Sequence, residues 1–288
     1  MTIAPIDLLS EWILRQAGDK GAWFMSQLHS MSKGASEQEL HIFMGLIPRM
    51  LGKQDLVLTP ADCQQAEQVC TGWRPQGWSM DGGARVAALV AYQGTRPFAE
   101  TFKDLRRTAD AGEMIALYRG LSLYPEPESL AFEVGEGLRS NMRAVFEAIA
   151  HNNPYPRDRF DEHRWNHMVL KALFVGSRLS PIMGIDERAN PELARILLDY
   201  AHERWAAGRA VSPELWRCVG PFIDSLGALD DMQRVLAGTE VERRAAVLAL
   251  SASSSAQARS LLDTSPEAAR LVGEGRVDWN NLLQGEAA

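Results

Sequence analysis

Thr59-Pro60-Ala61-Asp62 places a capping hydroxyl, a proline that needs no N–H, and an acid in the positive first turn of a helix. The same order returns at Asn190-Pro191-Glu192, Ser212-Pro213-Glu214 and Ser265-Pro266-Glu267. Each marks a helix start. Around these starts apolar residues recur at helical spacing, whereas period-2 runs of β-branched residues are nearly absent. The one short strand candidate, Leu56-Val57-Leu58, stops at Thr59-Pro60. The chain therefore reads as all-α.

The spacing predicts helices over 5–17, 19–31, 36–49, 60–70, 79–92, 97–107, 111–121, 126–137, 138–151, 160–174, 191–207, 213–225, 228–237, 240–250, 255–263 and 266–273. From residue 97 onward they read as successive antiparallel pairs, which points to a HEAT-like α-α superhelix or solenoid whose pairs bury their apolar faces by stacking. No residue returns at a fixed period of about 34 or about 40, so a globular helical bundle is the alternative. At about 150 residues per domain, 288 residues admit two domains. The continuous helical pattern favours a single domain over 1–288, with an N-terminal helical part at 1–96, a helical-pair array at 97–250 and a C-terminal cap at 251–288. The cap opens on the polar turn Ser251-Ala252-Ser253-Ser254-Ser255.

Composition narrows the function classes. With 46% apolar and 23% charged residues the chain can build a core, which excludes intrinsic disorder. Thirty-seven acids against 30 bases give a net charge of −7, contrary to a protein that binds nucleic acid by neutralising phosphates. Cys63, Cys70 and Cys218 form neither an even disulfide set nor a C-x-x-C pair. The opening MTIAPIDLLSEWILRQAG carries Asp7, Glu11 and Arg15 through its apolar positions and reads as an amphipathic first helix, not a signal peptide. No apolar run reaches the roughly 18 residues of a membrane span. A cytoplasmic protein without stable membrane insertion is expected, and no motif calls for a cofactor.

Two loops interrupt the helices. Residues 71–78, Thr-Gly-Trp-Arg-Pro-Gln-Gly-Trp, hold two tryptophans among glycines and a proline, either a binding loop or a well-packed turn. In residues 151–159, His-Asn-Asn-Pro-Tyr-Pro-Arg-Asp-Arg, two prolines bracket Tyr155 and are expected to keep Asn153 and Tyr155 out of α conformation.

Candidate chemistry concentrates between 151 and 209, which holds four of the six histidines. His163 and His167 are four apart on one helix and could face a metal together, but H-R-W-N-H lacks the glutamate of the H-E-x-x-H signature, so solvated or capping histidines are the plainer reading. Asp199 and His202 are i,i+3 neighbours and Glu203 shares their flank, an arrangement suited to a general base with its orienting carboxylate, or to an ordinary polar face. Lys171 sits among Leu170, Ala172, Leu173 and Phe174 and calls for an acidic partner, with Asp186 and Glu187 as candidates. Tyr155, Trp165, Arg188, Arg204 and Trp205 complete the candidate ligand-binding set. Phosphate-cradling and nucleophile-elbow motifs are absent.

Ile47-Pro48-Arg49 through Leu58-Thr59-Pro60-Ala61-Asp62, then Gly72-Trp73-Arg74-Pro75, resembles the N-terminal half of the bacterial EboA domain family. The resemblance continues in the strings at 141–150, Asn152-Asn153-Pro154-Tyr155-Pro156, 165–174, 186–194 and 199–209, and covers nearly the whole chain. His167 departs from it, since similar proteins are expected to carry glutamine there. The resemblance implies a setting more than a reaction: ebo clusters that also encode a UbiA-like prenyltransferase and metabolic-enzyme homologues. Those clusters are implicated in secondary metabolism or in moving precursors, scytonemin precursors among them, toward the periplasm. It supplies no catalytic residues.

Two functions follow as expectations. The first is a non-catalytic helical accessory protein whose concave surface around 151–209 binds a metabolite or a pathway enzyme. The second is an enzyme acting on a small isoprenoid- or quinone-like intermediate, with His202 as base and Asp199 as its orienter. If 151–209 forms one site, the 152–156 loop, Asp186-Glu187-Arg188 and the helix bearing His202 should converge beside a pocket.

Overall fold

The computed structural model describes residues 3–253 and 255–283; Ser254 of the expected polar turn lies outside them. The described residues are all-helical, without a strand; the Leu56 region contributes only an isolated bridge between Asp55 and Ser79. The chain divides into two compact units, residues 1–159 and 160–288. Each has its own core.

In the first unit the long helices are α1 (Pro5–Leu14), α2 (Gly21–Ser32), α3 (Glu37–Leu51), α4 (Pro60–Val69), α5 (Met80–Ala91), α6 (Phe98–Thr108), α7 (Ala111–Arg119), α8 (Ala131–Leu138) and α9 (Arg143–Ala150), followed by the short α10 (Tyr155–Arg159). Helix α5 is the axis of this unit and packs against α1, α2, α3 and α7. Its sequence, Met-Asp-Gly-Gly-Ala-Arg-Val-Ala-Ala-Leu-Val-Ala, is apolar on nearly every side, which suits a helix with no solvent face. Small side chains at Gly83, Ala84, Ala87 and Ala88 let four neighbours approach it closely.

Two charges lie inside that axis. Arg85 bonds Asp81 at 2.9 Å and reaches Glu113 of α7 at 3.5 Å. Its Nε donates to the carbonyl of Met44 in α3 at 3.4 Å. That carbonyl would bond the amide four residues on, but residue 48 is proline and has no N–H. Arg85 thus supplies the donor that Pro48 withholds and joins three helices.

Thr59 caps α4 as its sequence predicts, and its partner Asp62 is also bonded by Arg15 of α1 at 2.6 Å. Burial pushes the Asp62 carboxyl up, but hydrogen bonds from Arg15 and from the Thr59 amide and hydroxyl outweigh it and hold the pKa below the ordinary 3.8. A depressed folded-state value means that its stabilisation is complete above the unfolded value and is lost as pH falls through the folded one. Asp62→Asn is therefore expected to flatten the acid-side decline in stability below about pH 4. Urea midpoints measured down the acid limb check this; parallel wild-type and variant curves would refute it.

The second unit comprises α11 (Glu162–Phe174), α12 (Pro191–Ala206), a broken helical stretch, α15 (Leu229–Leu236), α16 (Glu240–Ser251), α17 (Ala256–Leu262) and α18 (Pro266–Gly273). The stretch expected as one helix over 213–225 is instead a 3-10 turn (Pro213–Leu215), α13 (Trp216–Val219), a second 3-10 turn (Gly220–Phe222) and α14 (Ile223–Leu226). Pro221 lies at the break, and its missing N–H and ring interrupt a helix there. Helix α16 packs against α13, α15, α17 and α18 through Ala245, Ala246, Val247, Ala249 and Leu250. Buried Glu214 accepts the amides of Leu179 at 2.8 Å and Ser180 at 3.0 Å, fixing the long connection between α11 and α12. Asn166 and Asn190 exchange amide hydrogen bonds across the same two helices.

Other boundaries also shift. The segment expected as a helix over 126–137 opens with a 3-10 turn (Pro127–Leu130), and the helix expected from 138 starts at Arg143. Tyr155, expected outside α conformation, is the first residue of α10. Pro156 is tolerated there because a first turn does not use its N–H groups.

Candidate functional site

The two irregular loops of the first unit wall one cavity of about 210 Å³. Residues Arg74, Gln76 and Trp78 come from the first loop, and His151, Asn152 and Asn153 from the second. Helix α7 contributes Ile115 and Arg119, and α9 contributes Ala144, Glu147 and Ala148.

Packing sets the first loop. Trp73 lies between Trp12, with ring centroids 5.2 Å apart, and Trp78, at 6.2 Å, and all three indoles are buried. Gly77 has φ 74°, a left-handed conformation that costs glycine little, and its carbonyl turns to accept from Arg119 Nη1 at 3.2 Å. A polar lock sets the second loop. The buried Asn153 amide donates to the carbonyls of Tyr118 (2.9 Å) and Ala148 (3.1 Å), the C-terminal turns of α7 and α9, and its oxygen accepts from the Tyr155 amide (3.1 Å). Asn152 is left-handed at φ 50° and exposed. Arg157 donates to the Thr71 carbonyl at 3.2 Å and ties one loop to the other.

The charges at this cavity are unevenly matched. Glu147 is engaged by Arg143 at 2.7 Å. Arg119 is half-buried, and burial alone acts on its guanidinium, pushing its pKa down with no carboxylate to offset it. Among the described residues its bond is to the Gly77 carbonyl. Arg74 is exposed and pairs with no carboxylate among the described residues.

Tyr155 is buried nearby in sequence but serves the core, its hydroxyl donating to the Pro127 carbonyl at 2.8 Å. The other candidates lie in the second unit. Trp165 is fully buried with the Arg188 guanidinium 4.6 Å over its ring, and Arg188 donates to the Phe160 carbonyl at 2.8 Å. Asp186 is held bidentately by Arg217, both contacts 2.6 Å. Lys171 is half-buried, and burial lowers its pKa. His202 Nε2 bonds Asp231 at 2.8 Å, not Asp199, which bonds Arg195 at 3.0 Å on the exposed face of α12. Glu203 is exposed on the same helix. Arg204 donates twice to the Ala210 carbonyl, at 2.9 and 2.8 Å, closing the C-terminus of α12. Trp205 stacks on Trp216 at 5.7 Å with Arg234 4.2 Å above its ring, beside a groove of about 390 Å³. The His163 and His167 rings meet edge to face at 4.1 Å, and no group of three or more metal-capable side chains occurs among the described residues.

The family model described as "Metabolite traffic protein EboA" matches residues 5–220. The chain belongs to the EboA family. No curated protein and no solved structure matches it. The EboA-matched stretch contains every residue of the cavity, from Arg74 to Asn153, whereas the Trp205 groove also uses Arg234 and Glu242 beyond its end. No helix among the described residues is long and apolar enough to cross a membrane.

Sequence reasoning singled out both cavity loops but not Arg119. A lone arginine in the last turn of an amphipathic helix reads as a partner for the macrodipole. The available signal was negative: positions three and four residues away are Ile115, Ala116, Ser122 and Leu123, so no carboxylate on its own helix or the turn after it can pair with it.

Proposed function

We propose that this protein is a non-catalytic accessory member of an ebo-type secondary-metabolite pathway, and that it binds a small metabolite in the cavity of its first unit. The observation that supports this is the meeting of two irregular, hydrogen-bonded loops at one cavity inside the EboA-matched stretch. Loops held by a rigid helical frame are where binding groups are commonly placed. The description of the family as a metabolite traffic protein agrees with a carrier that holds and releases its cargo unchanged. On this reading the second unit's polar residues, Asp186, Arg188 and Arg204, hold helices and turns in place.

The test is what the protein carries. Full-length protein from a bacterium expressing the surrounding pathway genes should release a bound small molecule on denaturation, identified by mass spectrometry. Ala144 is exposed and lines the cavity, so Ala144→Trp should fill it without disturbing the core. The variant is expected to keep its melting temperature and release at least about tenfold less, the loss of about 1.4 kcal/mol of binding. Equal release from both proteins would refute the cavity as the carrier site.

A further inference from the structure

We propose that the cavity of the first unit selects molecules bearing an oxyanion, a carboxylate or a phosphate, which Arg119 receives while the apolar remainder lies against Trp78 and Ile115. This rests on the cavity being the binding site and adds the chemical class of what enters it.

The argument begins with the cost of Arg119. A guanidinium does not lose its proton in a protein, so one partly withdrawn from water, as Arg119 is, gains from hydrogen bonds and from nearby negative charge. Arg85 shows what matching looks like in this chain, meeting the Asp81 carboxylate at 2.9 Å and reaching Glu113 at 3.5 Å. Arg119 meets a single carbonyl at 3.2 Å. A carbonyl offers a dipole and no net charge, and one acceptor leaves most of the five N–H donors of the fork unused. Arg119 itself lines the cavity wall.

The surroundings fit the same ligand class. Arg74, also at the wall and without a carboxylate partner, adds a second positive charge. The acid that lines the cavity, Glu147, is engaged by Arg143. Trp78 and Ile115 give an apolar face beside the charge, which favours an anion with a flat or hydrocarbon part over a bare inorganic ion. A planar fork suits carboxylate and phosphate oxygens alike, so the shared chemistry is the oxyanion.

Three small probes of matched shape separate the possibilities: phenylacetate, phenyl phosphate and the uncharged phenylacetamide. Calorimetric titration of the full-length protein is expected to show at least one of the two anions binding about tenfold or more tighter than the amide, and the tighter anion identifies carboxylate or phosphate as the preferred group. Arg119→Gln keeps a donor toward Gly77 but removes the charge, and should erase the preference while leaving the melting temperature unchanged. Arg119→Lys should retain part of it. Equal binding of anion and amide by the wild-type protein, a preference that survives Arg119→Gln, or binding of none of the probes would each overturn the oxyanion assignment. Those outcomes leave the cavity reading to its own test. Conversely, a charge preference unchanged in Ala144→Trp would place the anion elsewhere and overturn both.

Discussion

Arg85→Met is expected to lower the unfolding free energy by about 3–5 kcal/mol, since removing one partner of a buried pair strands the other. Asp81 is left with 8% of its side chain exposed, a carboxylate among apolar helices. The Met44 carbonyl loses its donor as well, because Pro48 cannot replace it. Urea denaturation reads the loss directly, and a fall below about 1 kcal/mol would refute the account. Two companions apportion it. Arg85→Met with Asp81→Asn removes the stranded charge and should recover a large share, as buried pairs replaced on both sides often do. Adding Pro48→Ala to Arg85→Met returns an amide to the Met44 carbonyl and should recover about 1 kcal/mol more.

Gly220→Ala is expected to destabilise the second unit by about 1–3 kcal/mol. A Cβ there would stand 2.9 Å from both the Cα and the carbonyl oxygen of Ala249. These are backbone atoms of α16, which cannot rotate aside, so the helix itself must shift. The intrinsic helical preference for alanine, up to about 1 kcal/mol, acts in the opposite direction and is the smaller effect. Gly45→Ala provides the contrast: it lies inside α3 with no atom near its would-be Cβ, and should stabilise by about 0.5–1 kcal/mol. Melting curves that rank the two variants in the reverse order would refute the steric argument.

The helices were legible because their signals are local. Thr59 and Asn190 cap α4 and α12 through side-chain oxygens, as their Pro-containing starts predict. Ser212 and Ser265 precede helical turns without making that bond, so there the proline carried the signal alone. Pro221 is equally visible, but the apolar spacing on both sides of it continues in phase and masks the break.

The site was less legible because its matching is nonlocal. His202 finds Asp231 on α15 and Asp186 finds Arg217 on α13, partners 29 and 31 residues away that no helical spacing could name. The cavity loops stood out by composition, but that they share a wall depends on Arg157 reaching 86 residues back to Thr71. A half-buried charge that meets a carbonyl but no carboxylate, as at Arg119, becomes visible only when all its surroundings are known.

The position of α16 also bears on how the protein can be handled. The EboA match ends at residue 220, while α16, which covers α13 and the turn at Gly220, lies beyond it. A recombinant fragment trimmed to the family boundary would keep the first unit whole and leave Trp216, Cys218 and Val219 without the helix that shields them. Exposed apolar surface of this kind drives self-association during expression. Insoluble product from such a fragment would then report a missing packing partner, and carry no information about whether the cavity of the first unit is intact.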